Sequence, residues 1–107
     1  MDTFTVISKD YPDSIHFTYQ AVIITEENAQ ELYEAVLKEE GMEDIFLETE
    51  PVSMGFRNKC GEHTGKVGQV LMLPVKGCWF IWDMETVKKH YEVGSRMKIT
   101  QEINDKE

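Results

Sequence analysis

Basic residues are scarce in the first half of this chain. Residues 1–50 hold 13 Asp/Glu and only two lysines, Lys9 and Lys38, a net charge of −11, whereas residues 51–107 hold 7 Asp/Glu and 9 Lys/Arg, a net of +2. The shortage disfavours direct nucleic-acid binding through the first half, because that affinity comes from neutralising phosphates with cations and releasing counterions. A basic protein surface is the partner such a charge favours. Long apolar runs are also missing. Nothing approaches the roughly 18 apolar residues of a membrane helix, and the start MDTFTVISKD lacks both a basic n-region and an apolar h-region. The expectation is a soluble, cytoplasmic protein made without export. Cysteine is limited to Cys60 and Cys78, too few for a disulfide-stapled scaffold, and both are expected as reduced thiols. No internal repeat or low-complexity segment is present.

What the chain does have is enough apolar residue for one core: 41% hydrophobic and 10% aromatic over 107 residues. A single domain is expected over residues 1–103, followed by a polar tail at 104–107. Thr3 to Ser8 and Ile15 to Thr25 are rich in β-branched and aromatic residues and flank the turn Tyr11-Pro12-Asp13-Ser14, which predicts an antiparallel hairpin. The continuous apolar run Ala21 to Ile24 fits a strand covered on both faces. From Thr25 to Gly41 the spacing predicts a helix. Thr25 is its expected N-cap, Gly41 its left-handed stop, and Ala29, Leu32, Tyr33, Val36 and Leu37 form its apolar stripe. Ile45 to Leu47 begins a third strand that Pro51 interrupts, with Val52 to Phe56 continuing or returning. Gln69 to Val75 and Cys78 to Trp82 read as a second hairpin, its first strand pushed to an edge by Pro74. Asp83 caps a short helix over Met84 to Val93, and Met97, Ile99 and Ile103 alternate as a last strand. Hairpins outnumber βαβ crossovers, so the fold class is α+β: a mostly antiparallel sheet of five to six strands with two helices packed on it. In the cluster Trp79, Phe80 and Trp82, the expectation is core packing with one ring partly exposed.

One stretch, Asn58 to Gly68 (NKCGEHTGKVG), carries candidate chemistry. As a phosphate loop it has one residue too few between Gly61 and Gly65, no Ser/Thr after Lys66, and a strand where a helix should follow. As a metal site it offers Cys60 and His63 at a workable spacing, but Cys78 and His90 are split by 11 residues, which is not a recognised knuckle. Read plainly, it is a turn between strands, of the kind that carries recognition. Cys60 and His63 lack an orienting third group and oxyanion donors, and the paired carboxylates Glu39-Glu40 and Glu43-Asp44 sit on an exposed helix end. His16 stands in a strand beside Phe17 and reads as a wet-face residue. No catalytic set, cofactor or metal is expected.

Two function classes follow. The first is a non-enzymatic binding protein that inhibits or regulates a basic, nucleic-acid-handling partner, as an anti-defence or immunity-type inhibitor does. Its contact residues would be Glu26, Glu27, Glu31, Glu34, Glu39, Glu40, Glu43 and Asp44, standing where phosphates otherwise sit; positions 26–50 hold 10 acids and one lysine. The second is a small-ligand or nucleotide-binding module that uses Lys59, His63, Lys66 and Trp79.

Overall fold

A computed structural model describes residues 2–14, 17–74 and 77–93. The fold is α+β, and the described residues form eight strands in two antiparallel sheets and two helices. The expected single sheet of five to six strands is therefore two sheets. Strands β1 (Phe4–Ser8), β2 (Thr18–Ile23), β6 (Val70–Pro74), β7 (Phe80–Trp82) and β8 (Tyr91–Val93) form the larger, in the order β7-β6-β2-β1-β8. Strands β3 (Glu43–Thr49), β4 (Val52–Asn58) and β5 (Gly61–Lys66) form the smaller in sequence order. The two helices are α1 (Ala29–Lys38) and α2 (Met84–His90).

The five-stranded sheet buries both faces. β2 lies at its centre, as the run Ala21 to Ile24 requires, and successive residues supply opposite sides. Val22, Ile24, Leu71 and Ile81 face a core shared with α1 and with Val52, Met54 and Phe56 of β4. Ala21, Val70 and Met72 face a second core with Val6, Val87 of α2 and Tyr91. Trp79, Phe80 and Trp82 are all half-buried, divided between the two cores by the same alternation. Pro74 does not mark an edge strand: β6 lies between β2 and β7, and the proline is its last residue, opposite Tyr19. At a strand end its missing N–H removes no interior ladder bond.

Helix α1 is shorter than its pattern. The Thr25 amide donates to Asn28 Oδ1 (2.8 Å) and the Asn28 amide donates to Thr25 Oγ1 (3.1 Å). This reciprocal pair, with the geometry of a capping box, holds a turn over residues 26–28, and helix begins at Ala29. Ala29, Leu32 and Val36 are buried, but Leu37 is 51% exposed and falls outside the stripe. Gly41 takes φ +80° after the helix, as its glycine permits. Helix α2 stops at His90 instead of Val93, and Tyr91 to Val93 pair with β1 as β8. The strand expected around Met97, Ile99 and Ile103, and His16, lie outside the described residues.

Candidate functional site

All eight carboxylates of the acidic set are exposed. Glu26 and Glu27 stand in the turn before α1, Glu31 and Glu34 on the helix, Glu39 and Glu40 in the bend beyond it, and Glu43 and Asp44 at the start of β3. The orientation of the helix is dictated by its buried stripe: with Ala29, Leu32 and Val36 against the core, Glu31 and Glu34 point to solvent. Glu27 and Glu31 also rim a pocket of about 510 Å³ with Asp2, floored by Phe4 and Ile23. The last two acids differ from the rest. Arg57 on β4 donates from Nη2 to Glu43 (2.8 Å) and from Nε to Asp44 (2.8 Å), so one guanidinium holds both. Sequence reading missed Arg57, because only the β3–β4 register, which sets Glu43 opposite Arg57, brings them together.

The core of the stretch Asn58 to Gly68 is a strand, not the connecting turn expected of it. Lys59 and Cys60 form one turn and Val67 and Gly68 another; between them Gly61 to Lys66 run antiparallel to β4, from Asn58↔Gly61 to Ser53↔Lys66. Gly61 (φ +130°) closes the hairpin. Gly65 has a different purpose. A Cβ there would stand 2.7 Å from Ile81 Cγ2 and 2.9 Å from Ile24 Cδ1, so the bare backbone is what lets β5 close onto the five-stranded sheet.

This geometry separates the ligand-binding set. Lys59 and Lys66 flank β5 at opposite ends, roughly 20 Å apart at the rise of a strand, and cannot converge on one phosphate. Lys59 lines a pocket of about 360 Å³ with Trp79, Glu39 and Glu40, whereas Lys66 lines a different one of about 710 Å³ with Glu26 and Glu50. His63 points inward beside Phe56, its cross-strand partner, with ring centroids 5.5 Å apart. Its Nε2 is buried with no hydrogen-bond partner among the described residues, and burial lowers its pKa below the ordinary 6.5.

The cysteines are not reduced thiols. Cys60 and Cys78 form a disulfide, with Cα atoms 6.3 Å apart, joining the β4–β5 turn to the entry of β7. Both candidate metal thiolates are thereby consumed, and the two histidines belong to different elements, His63 to β5 and His90 to the end of α2. Among the described residues no group of three His, Cys, Asp or Glu could hold a metal ion, and no helix is long and apolar enough to cross a membrane. No protein-family model, curated protein or solved structure matches this chain.

Proposed function

We propose that the protein is a non-enzymatic binding protein that inhibits or regulates a basic, nucleic-acid-handling partner through the acidic side of α1 and its flanking turns. One observation carries the reading: the buried stripe Ala29, Leu32 and Val36 commits the opposite side of the helix to solvent, and that side bears Glu31 and Glu34, continued by Glu27. The axial rise between Glu31 and Glu34 is about 4.5 Å, of the same order as the roughly 3.4 Å per phosphate along a DNA strand. A polyanion-binding surface meets here a comparable row of negative charge. Glu43 and Asp44 contribute less, since Arg57 already neutralises part of their charge.

A partner of this class places the protein in the cytoplasm. Against that compartment stands the Cys60–Cys78 disulfide, since such bonds persist in oxidising surroundings. Trapping thiols with an alkylating reagent at the moment of lysis measures the cellular state of the pair directly.

The function is tested by capture from the native host followed by competition. A basic protein retained at low salt, and displaced by added double-stranded DNA, supports the reading. A captured partner whose retention is indifferent to both DNA and salt removes it.

A further inference from the structure

Another concave feature lies at the Ser8 end of β1, the opposite end of that strand from the start of α1. It is a cleft of about 190 Å³ walled by the rings of Tyr11, Phe17, Trp82, His90 and Tyr91, with Asp10 as its one carboxylate among the described residues. Six of the chain's eleven Phe, Trp and Tyr residues gather here or directly behind: Tyr19 meets both Tyr91 and Phe80 edge-on at 5.5 Å, and Phe80 meets Trp82 at 4.9 Å.

The front of this cluster is not core. Tyr11 is 58% exposed and Phe17 39%, yet their rings stack with centroids 4.8 Å apart at 25°. Trp82, half-buried, stands 6.0 Å from the Tyr91 ring and 6.1 Å from His90. The turn bearing Asp10 and Tyr11 is held in place: the buried Ser8 hydroxyl accepts from the Asp10 amide (3.2 Å) and the Tyr11 amide (3.0 Å). Tyr11 carbonyl in turn accepts from the Ser14 amide (3.1 Å). The aromatic walls are thus presented in advance of any ligand, which spares binding the cost of ordering them.

Size and charge narrow the ligand. At about 190 Å³ the cleft falls below the roughly 300–1,000 Å³ of cofactor and drug sites, so it takes a side chain and not a nucleotide. Lys9, Lys88 and Lys89 are sequence neighbours of the cleft but do not line it, and among the described residues no other lysine or arginine does. The Tyr91 phenol, its pKa pushed up to about 12 by burial and then by Tyr19, stays uncharged and adds no second anion. Ring faces attract cations, and a planar guanidinium both stacks on them and offers its N–H fork to a carboxylate.

We propose that this cleft receives an arginine side chain of a partner polypeptide, its guanidinium stacked against the Tyr11, Phe17 and Trp82 rings and donating to Asp10. A lysine ammonium, a compact point charge, fits less well because it cannot stack. The site is separate from the acidic side of α1, and the proposal does not rest on that surface.

The test titrates the intact, oxidised protein with the blocked tripeptide acetyl-Gly-Arg-Gly-amide, following the Trp82 indole and the Asp10 and Tyr11 amides by NMR. Saturable shifts at these three positions are expected at millimolar peptide. The citrulline peptide, neutral and nearly isosteric, should bind at least about tenfold more weakly, as should the arginine peptide to Asp10→Asn, since each loses a charge-assisted hydrogen bond. Phe17→Leu, which keeps bulk and removes the ring, should weaken binding several-fold, with its unchanged thermal midpoint reporting an intact fold. Reversing Glu27, Glu31 and Glu34 should leave the titration as it was, so failure here and failure of the acidic surface are told apart. Citrulline binding as well as arginine, insensitivity to Asp10→Asn, or no saturable shift up to about 20 mM peptide overturns the assignment.

Discussion

The five-stranded sheet is covered on both faces and the three-stranded sheet on one, and their sequences differ accordingly. In β2 and β6 the residues Ala21-Val22 and Val70-Leu71-Met72 are buried in succession, because α2 lies on one side and α1 with β4 on the other. In β4 the inward residues Val52, Met54 and Phe56 alternate with Ser53 and Arg57, while Gly55 is buried beneath Phe46. A doubly covered sheet has no face left for a partner. What it offers is its ends, and the aromatic cleft is built on one of them. The smaller sheet and α1 keep a solvent side, and there the acids accumulate.

The sharpest way to break the contrast is to delete side chains from both sheets. Leu71→Ala and Met72→Ala, at neighbouring positions, should each lower unfolding free energy by about 2–5 kcal/mol, since each empties a different core. In β4, Met54→Ala should cost as much while its neighbour Ser53→Ala stays within about 0.5 kcal/mol. Denaturant midpoints of the four variants check this; a costly Ser53→Ala would mean that the outer face of the small sheet is covered after all.

Next in size is the covalent tie between the sheets. Cys60 and Cys78 are 18 residues apart, and opening a loop of that length should cost about 3 kcal/mol by the chain-entropy estimate. Thermal melting with and without a dithiol reductant measures it, and Cys60→Ser with Cys78→Ser should melt like the reduced protein. Gly65→Ala then probes the contact of β5 with Ile81 and Ile24. A destabilisation of about 1–3 kcal/mol is expected from overpacking, whereas at a solvent-facing position in a strand alanine would be gained at no steric cost.

The smallest expected effect separates the inward from the outward side of β5. His63, with a pKa lowered by burial, is neutral in the fold at pH values where the unfolded chain binds a proton. Its contribution is therefore full above the unfolded pKa of about 6.5 and declines as pH falls from there towards the folded pKa. His63→Gln should flatten the stability–pH slope in that window; an unchanged slope would mean that His63 titrates as if in water.

How far these features could be read from sequence depends on whether their cause is local. The stripe Ala29, Leu32, Val36 and the central placement of β2 follow from periodicity, and both are present. Leu37 was legible as apolar but not as exposed, because one extra residue on a wide stripe has no say in how the helix rolls. β5 was misread for a physical reason. Gly61 and Gly65 lower strand propensity and mimic a turn, yet Gly65 is glycine because Ile81 and Ile24 occupy the space of its side chain. The disulfide joins two hairpins whose contact is tertiary, so no spacing announces it. The aromatic cleft assembles Tyr11, Phe17, Trp82 and Tyr91 from three separated parts of the chain, and only the order of strands brings them to one end.

The central claim is that the solvent side of α1 is a recognition surface and not merely a soluble one. It is tested most directly by the affinity of the captured partner for the variant carrying Glu27→Lys, Glu31→Lys and Glu34→Lys, measured at two salt concentrations beside the unmodified protein. The account predicts a folded variant with an unchanged melting temperature within a few degrees, an affinity lower by at least about a hundredfold at low salt, and a flattened salt dependence. An affinity equal to that of the unmodified protein, in a variant that melts normally, would contradict it.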